Sequence, residues 1–146
     1  MNNIRQQKRR GSSVIEFAIG FTLVWALFAG VFQFGYTSYV YNGLMSSVAN
    51  GGRFASRVAF DAPTQNFVTQ IKNVVVYGSP SGGTATLVPG LTTSNVNVTW
   101  TTDSAGVPDT ISVSVQNFTV DAVFTSFTFT NKPSVTMKYA GVYKPA

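Results

Sequence analysis

The chain has 146 residues, room for one domain and one membrane segment but short of two domains. Histidine and cysteine are absent and charged residues make up only 10%, which removes imidazole and thiol nucleophiles, the usual zinc ligands and dithiol redox chemistry. The net charge of +5 reflects topology, not nucleic-acid binding: Arg5, Lys8, Arg9 and Arg10 carry four of the ten positive charges, and the remaining six Lys/Arg against five Asp/Glu form no basic stripe.

From Ser12 to Gly52 the only charged residue is Glu16, and Phe17 to Phe32 is an apolar run interrupted only by Gly20, Thr22 and Gly30. With Val14, Ile15 and the continuation through Phe34 and Gly35, it reaches the roughly 20 residues that cross a hydrocarbon core of about 30 Å as a helix. Lys8, Arg9 and Arg10 abut one side and no comparable cluster follows before Arg53 and Arg57, so the positive-inside rule keeps the N-terminus cytoplasmic and exports the rest. A secretory signal peptide needs a small-x-small cleavage site directly after the run. A cut after Gly30 pairs it with Phe28, and Ser47-Val48-Ala49 lies too far on. A permanent single-span anchor fits the run but leaves Glu16 unexplained. A carboxylate costs about 2.5–3.5 kcal/mol at the centre of a membrane helix and less near an interface, so Glu16 either finds a partner or snorkels to the headgroups.

The stretch Lys8-Arg9-Arg10-Gly11-Ser12-Ser13-Val14-Ile15-Glu16-Phe17 resembles the processing site of type IV pilin-like proteins: a basic leader, a glycine before the cut and a glutamate at mature position five. Arg10 to Ala18, with Phe32-Gln33-Phe34-Gly35 and Gly51-Gly52-Arg53-Phe54-Ala55, is more narrowly similar to TadE-like pseudopilins of the tight adherence (Tad/Flp) pilus system. The likeness covers roughly the first 60 residues, and the cysteines that many of these proteins carry in the exported part are missing. It implies that a membrane-embedded prepilin peptidase cuts after Gly11, that the chain is a substrate and not an enzyme, and that its partners are this peptidase, other pilin or pseudopilin subunits and the inner membrane. It favours a minor, priming or capping subunit, although a main filament subunit needs the same helix. After cleavage Ser12 carries an ammonium that Glu16 of an adjoining subunit can neutralise, setting register. Phe17 and the small residues Ala18, Gly20, Ala26, Ala29 and Gly30 supply close-packing helix surface.

No proline precedes Pro63, so the helix is expected to continue from about Ser13 to Phe60, ended by Asp61-Ala62-Pro63. In its second half Tyr41, Leu44, Met45, Val48, Ala55 and Ala59 follow helical spacing, Gly52 is a close-approach position, and Ser46, Asn50, Arg53 and Arg57 form a polar stripe. The pair Gly51-Gly52 is a place to bend. Tyr36, Tyr39 and Tyr41 read as an interfacial belt. Thr64 to Tyr77 carries Phe67, Val68, Ile71, Val74 and Val75 at helical spacing, though Val74 to Tyr77 also fits a strand.

After Gly78-Ser79-Pro80-Ser81-Gly82-Gly83 the period becomes two. Thr84 to Val88 is a short strand candidate. Val96, Val98 and Trp100, with Ile111, Val113 and Val115, make a hairpin around Asp103 to Asp109. The phase breaks near Gln116-Asn117 before Phe118 and Val120. Phe124, Phe127 and Phe129 form a further element, and Val135, Met137 and Tyr139 a last strand. The expected class is α+β and pilin-like: a long helix, half membrane or filament core and half amphipathic, packed on one antiparallel sheet of about three to five strands. The division is 1–11 leader, 12–36 transmembrane or filament-core helix, 37–62 amphipathic extension and 63–146 exported head.

Chemistry in the exported part has little to work with. Its acids are Asp61, Asp103, Asp109 and Asp121, and a calcium site at Asp103 and Asp109 needs more oxygen ligands than the turn offers. The Thr/Ser/Asn-rich strands offer sugar-binding groups without clear convergence. Neither metal, cofactor nor nucleic acid is expected. The rival from another class is a permanently anchored extracytoplasmic binding or adhesin domain, in which Gly11 is irrelevant and Glu16→Ala is tolerated.

Overall fold

An apolar run uninterrupted by proline produces one helix, α1, from Asn3 to Ala55, 53 residues long and so about 80 Å. The computed structural model describes residues 3–61, 65–104 and 106–142, with side chains from Ser12 onward. The helix ends five residues before the expected Phe60, and Ala62 and Pro63 of the expected stop lie outside the described residues. The backbone of this segment bonds the C-terminal stretch instead: Ala140 N–H donates to Ser56 O (2.9 Å) and Phe60 N–H to Val142 O (3.0 Å).

The exposed stripe Ser46, Asn50, Arg53 and Arg57 stands as its spacing predicts, and Leu44, Val48 and Ala55 are buried opposite it. Met45 is exposed, while Val40 and Ser47 are buried in its place. The glycine pair does not interrupt α1. A Cβ on Gly51 would collide with the Val75 side chain, and one on Gly52 would stand 3.0 Å from Val135 Cγ1, so both glycines let other elements approach the helix backbone.

Helix α2, Asn66–Tyr77, crosses at Gly51 and buries Phe67, Ile71, Val74, Val75 and Val76. The Val74 to Tyr77 tail is helical, and Gly78 closes it at φ 76, its N–H bonded to Val74 O (2.9 Å). Thr84 to Val88 forms no strand. It has a backbone bond from Leu87 N–H to Val76 O (2.8 Å), and it inserts Val88 into the core with Leu91 beyond.

Two sheets replace the single one expected. Strands β1 (Val96–Thr102), β2 (Pro108–Val115) and β5 (Ser134–Lys138) form an antiparallel sheet in the order β1-β2-β5, with Val98 opposite Val113 and Val113 opposite Val135. Its apolar face covers α1 and α2. Its other face carries hydroxyl pairs, Thr101 with Thr110 at 2.6 Å and Ser112 with Thr136 at 2.7 Å. Strands β3 (Phe118–Asp121) and β4 (Ser126–Phe129) pair separately. The chain leaves and re-enters the larger sheet through Asn117 (φ 50) and Asn131 (φ 58), and Gln116 Nε2 donates to Asn131 Oδ1 (2.9 Å) across the two corners. The phase break near Gln116 is therefore an exit from the sheet.

At the core's far end Phe60, Phe67 and Trp100 meet, Phe60 to Phe67 at 4.6 Å and Phe67 edge-on to Trp100 at 5.1 Å. The Tyr139 hydroxyl accepts the Phe60 N–H (3.0 Å) and donates toward Val58 O (2.8 Å) and Val142 O (2.9 Å). Burial pushes its pKa up, with the Phe60 N–H pulling the other way. The fold favours the neutral phenol, so this contribution is complete below the unfolded value of about 10 and is lost as pH rises through the folded value. Tyr139→Phe is expected to cost about 1–2 kcal/mol at neutral pH and to remove this alkaline loss, read by urea unfolding of the full chain in detergent micelles.

Candidate functional site

The N-terminal half of α1 stands bare. Every residue from Ser12 to Phe28 is exposed, most of them large and apolar, and the helix is long and apolar enough to cross a membrane. A helix apolar on all sides belongs in lipid or inside an assembly.

Helical spacing sorts the residues singled out above onto three faces. Glu16, Gly20, Leu23, Leu27 and Gly30 follow i, i+4, i+7, i+11, i+14 and share one face. Ala18, Thr22, Ala26, Ala29 and Gln33 share a second. Phe17 begins a third, an aromatic ladder in which Phe17 and Phe21 lie 6.0 Å apart, Phe21 and Trp25 6.5 Å, Trp25 and Phe28 6.2 Å, and Phe32 and Tyr36 6.2 Å. A Cβ on Gly20 or Gly30 meets nothing within 4 Å, so the fold of the single chain makes no use of their smallness. The Ser12 hydroxyl donates to Glu16 Oε1 at 3.4 Å, a weak contact within one turn. Of Lys8, Arg9, Arg10 and Gly11 only the helical backbone is described; their side chains lie outside the described residues.

The small-residue face is not free along its whole length. Ala29 is buried, 3% exposed, unlike its neighbours along the apolar run, and Gln33 one turn on is buried as well. The Gln33 amide holds the β3–β4 turn: Nε2 donates to Thr125 O (2.9 Å) and Oε1 accepts the Phe124 N–H (3.0 Å). The head thus reaches down to the apolar segment and occupies the face on which Ala29 was expected to meet another subunit. Tyr41, expected in the belt, packs on Phe129 at 5.4 Å, while Tyr39 remains exposed. Sequence reasoning missed the role of Gln33. Its signal was available: a lone amide near the end of an apolar run, with donors and an acceptor to satisfy.

A groove of ≈ 350 Å³ runs between α1 and β4, lined by Gln33, Phe34, Thr37, Ser38, Tyr41, Asn42, Phe127 and Phe129, without an acidic or basic side chain. Asp103 Oδ1 accepts the Val107 N–H at 2.9 Å and so shapes the β1–β2 turn. Among the described residues, no three carboxylates gather into a metal-holding group.

The fold and this segment together define a class: an α+β head carried on a long helix whose other half is apolar and uncovered. Residues 11–53 match the family model described as TadE-like protein, and this stretch of the chain is TadE-like. The match begins at Gly11 and ends at Arg53, within the last turn of α1, so it takes in the bare segment and most of the amphipathic half of the helix and stops short of the head. No curated protein and no solved structure matches the chain. The family suggests a pilus-related structural subunit.

Proposed function

We propose that the chain is a structural prepilin-like subunit of a Tad or type IV-like pilus. Residues 1–11 are a cytoplasmic leader, 12–36 the inner-membrane and later filament-core helix, 37–62 its amphipathic extension and 63–146 the exported head. A prepilin peptidase recognises Lys8, Arg9, Arg10 and Gly11 and cuts before Ser12, and the mature chain assembles through α1 into an extracellular filament, as a minor priming or capping subunit or as a filament subunit. The observation that carries this reading is the bare apolar segment of α1 that follows Gly11, with Glu16 as its single carboxylate.

Packing is the mechanism. Moving helix surface from lipid to neighbouring helices gains contacts where side chains are small, and repeated head-to-tail contacts do not close, so they build a filament. The Glu16 face offers close approach at Gly20 and Gly30, where a Cβ would meet nothing, with Leu23 and Leu27 between them. The Ala18 and Ala26 face offers it only below the level of Ala29, where the chain's own head intervenes. Cleavage replaces the Ser12 amide with an ammonium, which pairs with Glu16 of the adjoining subunit and fixes the axial step.

Intact mass and N-terminal sequence of the protein from its native cells test this. A start at Ser12 that Gly11→Ala abolishes is expected. A chain that keeps residues before Gly11 leaves a permanently anchored surface domain, and one that begins at Asn50 leaves a conventionally secreted one.

A further inference from the structure

The turn joining β3 to β4, Ala122 to Thr125, presents Val123 and Phe124 to the outside, and Phe127 next to it is also exposed. From Ala122 to Asn131 there is no charged side chain. An apolar tip of this kind is costly in water unless something covers it. Its height along α1 identifies the cover. At about 1.5 Å per residue, Val14 to Gln33 spans about 29 Å, the thickness of a hydrocarbon core, so with the basic leader at the inner surface Gln33 lies at the outer edge of the lipid. The tip is bonded to Gln33 and therefore lies at that same level.

The polar groups of the turn fit this position too. Backbone near the hydrocarbon must find its hydrogen bonds within the protein. Gln33 supplies them, donating to Thr125 O at 2.9 Å and accepting the Phe124 N–H at 3.0 Å. One amide thus satisfies a donor and an acceptor of the turn while leaving its apolar side chains outward.

We propose that the β3–β4 turn is a second membrane contact, which places Val123 and Phe124 in the outer-leaflet interface beside α1. The inference rests on the reading that α1 crosses a bilayer. The molecule is then attached at two points, through the helix and through the turn, so its tilt in the bilayer and the height of the head above it are set before any assembly.

The native chain has no cysteine, so single-cysteine variants carry one spin label each. Phe124→Cys, Leu23→Cys and Thr99→Cys in the full chain, reconstituted into nanodiscs of phosphatidylcholine and phosphatidylglycerol, are compared by their accessibility to oxygen and to a water-soluble nickel chelate. The label at 124 is expected to favour oxygen over nickel several-fold more than the label at 99, and less than the label at 23. A label at 124 as open to nickel as that at 99, with 23 in lipid, overturns the proposal and leaves α1 spanning. Nickel access at 23 removes the spanning reading and the proposal with it. Shielding of 124 from both reagents overturns the proposal in favour of a second copy of the chain as the cover.

Discussion

Under the proposed prepilin reading, Glu16→Ala is expected to leave cleavage after Gly11 intact and to remove the protein from sheared filaments almost completely. The proposed pair joins the Ser12 ammonium of one mature chain to the Glu16 carboxylate of its neighbour in a medium without water. Deleting one member of such a pair strands the other charge, which costs about 3–5 kcal/mol, or more than about a hundredfold in each subunit contact. The single chain has little to lose. Glu16 is exposed, and its partner within the helix is the Ser12 hydroxyl at 3.4 Å. Membrane level, the mass of the processed chain and the filament fraction, measured on the same cells, separate the two effects. Incorporation of Glu16→Ala at the native level would mean that the carboxylate only snorkels and that register is set elsewhere.

Gly51→Leu is expected to unfold the head or to loosen it by about 3 kcal/mol, at the upper end of what overpacking costs. The first added atom already collides with Val75, a fully buried residue of α2, and the Ile71 carbonyl lies 3.9 Å away on the same helix. Neither can retreat, because Ile71 and Val75 both belong to the core. The same change at Gly52 meets Val135 Cγ1 at 3.0 Å on β5, an edge strand of its sheet with more room to shift, so its cost is expected to be smaller. Gly20→Ala is the control: its Cβ meets nothing, and the head's unfolding midpoint should not move. Urea unfolding in micelles, followed by near-ultraviolet circular dichroism, ranks the three. Equal midpoints for Gly51→Leu and Gly20→Ala would remove the crossing at Gly51 from the account of the fold.

The Gly51 and Gly52 contacts show where local reading stops. A glycine pair inside a helix is equally a weak point for bending and a place for close approach, and the choice depends on whether another element arrives there. Here α2 and β5 arrive, and the helix continues. Thr84 to Val88 is the reverse case. Its alternation fits a strand, but it forms none, and its apolar end goes into the core through Val88. The end of α1 was likewise beyond local reading, since the groups that draw Ser56 and Phe60 away from the helix sit on Ala140, Val142 and Tyr139.

The sequence by itself determined the membrane-length helix, the α+β class, the β1–β2 hairpin and the break before Phe118. Each of these follows from periodicity or a run of apolar residues, both of them properties of neighbours in the chain. Only the tertiary structure decided that β3 and β4 leave the sheet, that Tyr41 packs on Phe129 of the head and that the small-residue face is closed at Ala29. Those outcomes hang on bonds such as that from Gln33 to Thr125, which joins residues 92 positions apart. A polar side chain announces that it needs a partner, but which backbone reaches it depends on the path of the whole chain between them.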